Sequence, residues 1–160
     1  MKYYSVNDLK ILSDEELYML VCQKSYELIE ADHNDIYVTY KTDNLHLRQF
    51  RSIHMFESEV INGGFHQFFV NSGYDYYGEY LLKGLPKILA DKFTEIFEKA
   101  VKVYLDHDQE IECEIVPEFD KLDEEFYKLN KWETGSSTLS NLQVNYVKSN
   151  YELFEGDYHE

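Results

Sequence analysis

The stretch EVINGGFHQFFVN, residues 59–71, places two adjacent glycines between two segments of helical pattern. The apolar residues before the glycines recur at helical spacing and are Phe50, Ile53, Met55, Phe56 and Val60. Three phenylalanines after the glycines stand at positions i, i+3 and i+4: Phe65, Phe68 and Phe69. Because Asn and Gly readily adopt the positive φ that ends many helices, Asn62, Gly63 and Gly64 predict that two helices meet here.

Polar side chains flank the two glycines. Gln67 and Asn71 are four residues apart and therefore share a face of the second helix, while Glu59 lies one turn before the break. These three residues could form a buried site for a ligand, or they could satisfy backbone groups left open where the helices meet. We favour the second interpretation, because buried polar groups usually have structural partners.

The same stretch contains a more specific motif, made of Glu59-Val60, Asn62-Gly63-Gly64-Phe65, Gln67-Phe68-Phe69 and Asn71. Residues later in the chain accompany it, namely Asp123, Phe126, Tyr127, Tyr146, Val147, Asn150 and Phe154. Together they resemble the signature of an acidic bacterial family of domains of unknown function, whose best-described member is a DNA-mimic protein. The resemblance covers most of the chain from about Leu45 onward. It implies an all-helical fold, no known catalysis and, for the described member, binding to the DNA-binding surface of a transcription factor.

The composition predicts one domain over residues 1–160. A chain of 160 residues with 44% hydrophobic and 16% aromatic content can bury a core, but it is short for two domains. Neither a leader peptide nor an apolar run long enough for a bilayer is evident, so we expect a cytoplasmic protein without a membrane partner. The two isolated cysteines, Cys22 and Cys113, form neither a disulfide framework nor a metal site.

Charge is the second strong feature of the sequence. The chain has 31 acidic and 15 basic residues, which gives a formal net charge of −16. Nucleic acid is therefore an unfavourable partner, since binding to phosphates requires clustered Lys and Arg, and the arginines are only Arg48 and Arg51. A large negative charge favours attraction to basic partners instead.

The acidic residues are clustered along the chain, and the clusters give the candidate contacts with a partner. The main candidates are Glu110, Glu112, Glu114, Glu118, Asp120, Asp123, Glu124 and Glu125. A secondary group consists of Asp14, Glu15 and Glu16. Within the main group, Glu110, Glu112 and Glu114 alternate with apolar residues, so an extended conformation would place them on one edge, roughly 6.6 Å apart. The alternative is an exposed strand or loop that charge keeps soluble.

Apolar periodicity predicts an all-α fold, a single compact bundle of about seven helices. Ser13 and Glu16 form a capping box that opens a first helix ending near Ala31. The remaining helices are predicted from about Asn44 to Ile61, Gly64 to Ser72, Gly78 to Gly84, Pro86 through Tyr104, Pro117 through Leu129, and Thr138 to Phe154. A connector, partly extended at Ile36, Val38 and Tyr40, is predicted over residues 32–42, and a turn over residues 73–77. Leu89, Phe93, Ile96, Phe97, Ala100 and Tyr104 form the clearest apolar face.

Catalytic and metal-binding patterns are weak, so the sequence predicts no enzyme, no cofactor and no metal. Gly63-Gly64 lacks the Lys and Ser or Thr of a phosphate loop. The acidic run after Asp106 has Ile111 where a calcium loop needs Gly. His46 and His54 are eight residues apart without a third ligand, and Cys22 has no histidine nearby in sequence, although a pair in space stays open.

These features lead to one main functional hypothesis and two alternatives. The main hypothesis is a non-enzymatic DNA mimic that occupies the basic nucleic-acid-binding surface of a partner such as a transcription factor. The first alternative is an immunity or antitoxin protein that blocks a toxin, for example a nuclease with a basic cleft. The second is a small-molecule binder or enzyme with a pocket at Glu59, Gln67 and Asn71. A homodimer is also compatible with the sequence.

Overall fold

In the computed structural model, most of the chain folds into helices that pack against one another. The described residues are 2–27, 29–30, 39–40, 44–72, 74–107, 111, 116–131 and 137–158. Their helices are α1 (Val6–Lys10), α2 (Asp14–Glu27), α3 (Leu45–Ser72), α4 (Tyr74–Lys87), α5 (Asp91–Asp106), α6 (Glu118–Asn130) and α7 (Thr138–Ser149), followed by a 3₁₀ helix (Tyr151–Leu153). The prediction of an all-α fold with about seven helices is confirmed. None of the described helices combines the length and the apolar character needed to cross a bilayer.

The chain also contains two small antiparallel sheets, each of two short strands. β1 (Lys2–Tyr4) pairs with β4 (Gly156–Tyr158), and β2 (Ile29–Glu30) pairs with β3 (Thr39–Tyr40). The first pair holds the beginning and the end of the described chain together. Tyr40 is extended as the sequence predicts, whereas Ile36 and Val38 lie outside the described residues.

The larger core lies between α3, α4, α5 and α6 and is rich in phenylalanine. Phe56 is fully buried at its centre, and its ring centroid lies between 5.2 and 5.8 Å from those of Phe65, Phe68, Phe97 and Phe126. Most of these rings meet edge to face, which is a favourable geometry for aromatic pairs. The apolar faces predicted for α5 and α6 therefore point into one common core.

A smaller core joins α1, α2, the beginning of α3 and α7. Its buried members include Leu9, Leu17, Val21, Phe50 and Phe154. The first two helices, α1 and α2, both begin with a capping box: Ser5 with Asp8, and Ser13 with Glu16. The second box is the one predicted from sequence, and it fixes the start of α2 against this core.

The helix break at the glycines is confirmed. α3 leaves helical geometry at Gly63, with φ −161° and ψ 25°, and at Gly64, with φ 75° and ψ −175°. α3 is thus two helices joined end to end, close to the two predicted helices. Asn44 caps the first of them, because its side-chain oxygen accepts hydrogen bonds from the backbone N–H groups of His46 and Leu47.

Three predicted boundaries are wrong around the ends of α2 and α4. The first helix ends at Glu27 rather than near Ala31, because the chain then enters the β2 strand. Residues 74–77 are the first turn of α4 instead of a turn between helices. Pro86 lies in the last turn of α4 and not in the first turn of α5.

The backbone at Leu89 explains where α4 ends. Its φ of 60° is left-handed, and the N–H groups of Leu89 and Ala90 donate back to the carbonyls of Pro86 and Leu85. Leu89 consequently points to solvent, 80% exposed, although its spacing predicts a core position. The other predicted members of the α5 face, from Phe93 to Ala100, are buried as expected.

The last helix is also shorter than predicted. α7 ends at Ser149, and the chain continues as the 3₁₀ helix before Phe154. The Asn150 side chain explains the end, since its amide donates to the carbonyl of Tyr146 and its backbone has left helical geometry. Trp132, Gly135 and Ser136 lie outside the described residues, whereas Ser137 caps the start of α7.

Gly64→Ala should destabilise the protein by about 3 to 5 kcal/mol, because backbone strain and a steric overlap combine. The φ of 75° is unfavourable for alanine, and an added Cβ would lie 2.3 Å from an Asp123 carboxylate oxygen. Gly84→Ala is the matched control: an added Cβ there lies 3.2 Å from the nearest atom, on Gln49, so a change within about 1 kcal/mol is expected. Urea unfolding measures both, and equal stabilities would contradict the assigned role of Gly64.

Candidate functional site

The helix break depends on polar contacts from α6. The Phe65 backbone N–H, at the start of the second half of α3, donates to Asp123 Oδ1 at 2.7 Å. On the other side of the break, the Tyr127 hydroxyl donates to the Val60 carbonyl at 2.9 Å. Helix ends leave such groups without intrahelical partners, so α6 satisfies one group from each half of α3.

Glu59, Gln67 and Asn71 form a second polar link across the break. The side-chain amides of Gln67 and Asn71 donate to the same Glu59 oxygen, at 2.8 and 3.1 Å. The prediction that these residues satisfy backbone groups is therefore wrong in detail, because they bond one another while Asp123 and Tyr127 serve the backbone. Gly63 has a packing role here: an added Cβ would lie 2.1 Å from the Gln67 amide oxygen.

The aromatic residues of the motif belong to the core. Phe65, Phe68 and Phe69 are buried, and the Phe69 ring stacks on Tyr104 with centroids 4.5 Å apart. Of the remaining motif residues, Asn62 is exposed and Gly64 is buried. The motif thus specifies how the two halves of α3 join, and its polar residues Glu59, Gln67 and Asn71 bond one another.

The exposed side of α6 carries four of the candidate partner contacts. Glu118, Asp120, Glu124 and Glu125 are all exposed, and Lys121 and Lys128 lie on the same helix. Glu118 lies 3.9 Å from His107 and Glu125 lies 3.7 Å from Lys99, but exposed pairs of this kind contribute little. Asp120 and Glu124, one turn apart, form no ion pair with any residue that the structure describes.

The other predicted contacts lie apart from this group or outside the described residues. Asp14, Glu15 and Glu16 are exposed in the first turn of α2, where Asp14 pairs with Lys148 and Glu16 caps the helix. α2 packs against α3 and α7, while α6 packs against α3, α5 and α7. The remaining candidates fall outside the described residues and are Glu110, Glu112 and Glu114.

Asp123 differs from its neighbours because it is partly buried between α6 and α3. Burial raises the pKa of its carboxyl group, the Phe65 N–H opposes that rise, and the nearby Asp120 carboxylate adds to it. The side chain is therefore committed to the helix break. Its place among acidic residues in the sequence gives no sign of this role.

A buried polar network around Glu57 ties α3 to α6 and α7. One Glu57 oxygen accepts hydrogen bonds from Asn130, at 2.8 Å, and from the Ser137 hydroxyl, while the other accepts one from Ser140 at 2.9 Å. Glu57 is only 5% exposed. The network was not predicted, because Glu57 and its partners are more than 70 residues apart in sequence.

The histidine and cysteine pair left open by the sequence does exist in space. Cys22 Sγ lies 3.8 Å from His54 Nδ1, and the Tyr18 and Tyr26 hydroxyls lie 2.9 and 3.3 Å from the two ring nitrogens. Burial raises the pKa of the Cys22 thiol to about 12, and burial together with the Arg51 charge lowers the pKa of His54 to about 4. A neutral thiol is a poor nucleophile, so this arrangement does not resemble an activated cysteine.

His46 and His54 do not share a metal site in the described structure. His46 Nδ1 bonds the Tyr146 hydroxyl at 2.8 Å, whereas His54 bonds the tyrosines of α2. Among the described residues, no group of three His, Cys, Asp or Glu side chains is arranged to hold a metal ion.

Comparison with known proteins identifies a family for the central part of the chain. Residues 44–150 match the family described as DMP19-like protein. The matched region contains α3 to α7, and so includes the helix break and the α6 surface, while α1, α2 and the β1–β4 sheet lie outside it. No curated protein and no solved structure matches the chain.

Asp123→Ala should lower the free energy of unfolding by about 2 kcal/mol, because it leaves the buried Phe65 N–H without an acceptor. Glu124→Ala is the matched control, since the neighbouring carboxylate is exposed and its loss should change stability by less than about 0.5 kcal/mol. Chemical denaturation of both variants measures the difference. A stable Asp123→Ala protein would show that the capping contact is dispensable.

Stability should fall by about 2 kcal/mol between pH 7 and pH 5, owing to His54. Its folded pKa of about 4 lies below the ordinary value of 6.5, so the unfolded state binds the proton first as the pH falls. The stabilising effect is complete above pH 6.5 and is lost progressively down to pH 4.

Urea unfolding at the two pH values measures the loss. His54→Gln should remove most of this pH dependence, whereas His46→Gln, which alters a less buried ring, should retain it. An unchanged pH dependence in His54→Gln would refute the assignment.

Proposed function

Because the chain belongs to the DMP19-like protein family, we propose that it acts as a DNA mimic. DMP19 is a DNA-mimic protein family, and this family is not known as enzymatic. The proposed role is non-enzymatic: an acidic surface occupies the basic nucleic-acid-binding surface of a partner such as a transcription factor. The observation that carries this role is the exposure of Asp120 and Glu124 on α6, where neither forms an ion pair with any residue that the structure describes.

The exposed face of α6 presents carboxylates that a basic groove could contact. Asp120 and Glu124 are one turn apart, which is about 6 Å along the helix axis. Glu118 and Glu125 lie nearly two turns apart, about 10.5 Å along the axis, on the other edge of the exposed face. Lys121 and Lys128 are exposed between the two pairs. Each pair therefore places two negative charges along one edge of the helix.

Electrostatics would act mainly on recognition and association rate. The field of the net charge of −16 extends over about a Debye length, roughly 8 to 10 Å at physiological salt. It would steer a basic partner towards the protein, and counterions would be released on contact. Binding should therefore weaken as salt concentration rises, and duplex DNA should compete for the same partner surface.

The proposed contact surface is centred on Glu118, Asp120, Glu124 and Glu125. We assign Asp123 no partner contact, because its Oδ1 accepts the hydrogen bond from Phe65. Three further candidates are Glu110, Glu112 and Glu114. A separate acidic group at the start of α2 is a secondary candidate and consists of Asp14, Glu15 and Glu16.

The double variant Asp120→Asn/Glu124→Gln should weaken binding to a basic partner about 3- to 30-fold at low salt. The partner is first captured from an extract of the source cell and shown to bind DNA. Affinity is then measured by titration over a range of salt concentrations, with and without competing duplex DNA. The variant should also show a smaller dependence on salt.

Glu152→Gln/Glu155→Gln is the matched control, since it removes the same charge from two exposed residues outside α6. It should change the affinity less than about twofold, as expected for charges remote from the contact. Equal effects of the two double variants would mean that only net charge matters. An affinity for the partner that does not depend on salt, or that competing DNA does not reduce, would contradict the proposal of a DNA mimic.

A further inference from the structure

Arg51 is a buried positive charge on α3. Arg51 is only 5% exposed. It lies beside Tyr26 of α2 and near Tyr77 of α4. The guanidinium carbon is 3.3 Å from the centre of the Tyr26 ring. Arg51 also lies close enough to Cys22, His54 and Tyr77 to act electrostatically on all three.

Two of the three guanidinium nitrogens of Arg51 have no hydrogen-bond partner within the described part of the chain. Its Nε and Nη1 atoms are inaccessible to solvent and find no acceptor among the residues that the structure describes. A guanidinium has five N–H donors and is always charged, and burying such a group without an acceptor is costly. Arg48, three residues earlier, provides the contrast, because it donates to the Tyr80 hydroxyl at 3.1 Å.

The groups facing Arg51 are neutral at physiological pH. Burial raises the pKa of both Cys22 and Tyr77, and burial lowers that of His54. The nearby carboxylates are committed elsewhere: Glu57 to its network with Asn130 and two serines, and Glu59 to the amides across the helix break. The guanidinium thus forms no ion pair with any residue whose side chain the structure describes.

The aromatic ring next to Arg51 is partly open to solvent. Tyr26 covers the guanidinium with one face of its ring, yet 49% of Tyr26 is exposed. Tyr26 and Cys22 also line a cavity of about 600 Å³ on the surface of α2, together with Tyr4, Leu12, Met19, Leu20 and the polar Glu16 and Gln23. Tyr26 is thus a residue that both lines this cavity and contacts the guanidinium.

We propose that Arg51 anchors a binding site for an oxyanion, namely a carboxylate or phosphate group of a small molecule, and that Tyr26 covers this site. The planar fork of a guanidinium matches both kinds of oxyanion through paired hydrogen bonds. The cavity beside Tyr26 would hold the rest of the ligand, with its apolar part away from Glu16. Tyr26 and Cys22 belong to α2, outside the family match, and the site is independent of the proposed contact surface on α6.

Thermal unfolding with inorganic phosphate and with benzoate tests the proposal, at ionic strength held constant with potassium chloride. Saturation with either anion should raise the Tm of the wild-type protein by roughly 5 to 10 °C. Arg51→Met should abolish this response. Without ligand, Arg51→Met should melt on the order of 5 °C higher than the wild type, since it removes a buried unpaired charge. Arg48→Met is the matched control and should retain the full anion response.

The two arginines also permit a direct measurement on the wild-type protein, which does not depend on the variant folding. An NMR spectrum of arginine Nε–Hε groups should contain two signals, from Arg48 and Arg51. Phosphate or benzoate should shift the Arg51 signal and leave the Arg48 signal in place. Tyr26→Ala should lower the anion concentration needed for half the shift, because the cover is removed.

Three results would overturn the proposal. The first is an Arg51 signal that neither anion moves, and the second is an anion response that Arg51→Met retains. The third concerns the chain's own aspartates outside the described residues, Asp32, Asp35 and Asp43. If anions bind Arg51 only after all three are changed to Asn, the guanidinium is paired with an internal carboxylate and is not a ligand site.

Discussion

The backbone turn at Gly64 is the constraint on which the rest of the structure depends. Its φ of 75° redirects the chain so that Phe65 enters the same core as Phe56. The turn interrupts the hydrogen bonding of α3, and Asp123 and Tyr127 of α6 supply the missing partners. Because α6 is fixed by these polar contacts and by its own phenylalanines, the direction of its exposed carboxylates is set by the helix break.

Local sequence patterns predicted the break and most helices, but they could not predict what stabilises them. Two glycines between amphipathic segments indicate a junction, since helical periodicity is readable over a few residues. The contacts that complete the junction join residues 58 and 67 positions apart, and no periodic pattern contains such pairs. The error at Pro86 has a similar origin. The fixed φ of proline is compatible with a helical turn, so Pro86 could belong to the end of α4 or to the start of α5. The left-handed backbone at Leu89, which ends α4, places Pro86 in α4.

The candidate site shows why a charge count differs from a binding surface. Of the acidic residues, Glu57, Glu59 and Asp123 hold the fold together, and Asp8 and Glu16 cap helices. The sequence correctly indicated a strongly acidic α6, because Glu118, Asp120, Glu124 and Glu125 are exposed. It could not separate Asp123 from them, since burial depends on which helix packs above a residue. Carboxylates can contact a partner only where the fold has not already used them.

α2 lies outside the family match, yet it packs over a buried positive charge that belongs to the matched region. Arg51 belongs to the matched region, but Tyr26, which covers its guanidinium, belongs to α2. With that face open to water, the guanidinium would be hydrated and would need no counter-ion. α2 therefore creates both the desolvation cost of Arg51 and the cavity beside it, while the acidic surface of α6 is unaffected. Recognition of a basic partner and recognition of an oxyanion can thus reside on separate parts of one small helical fold.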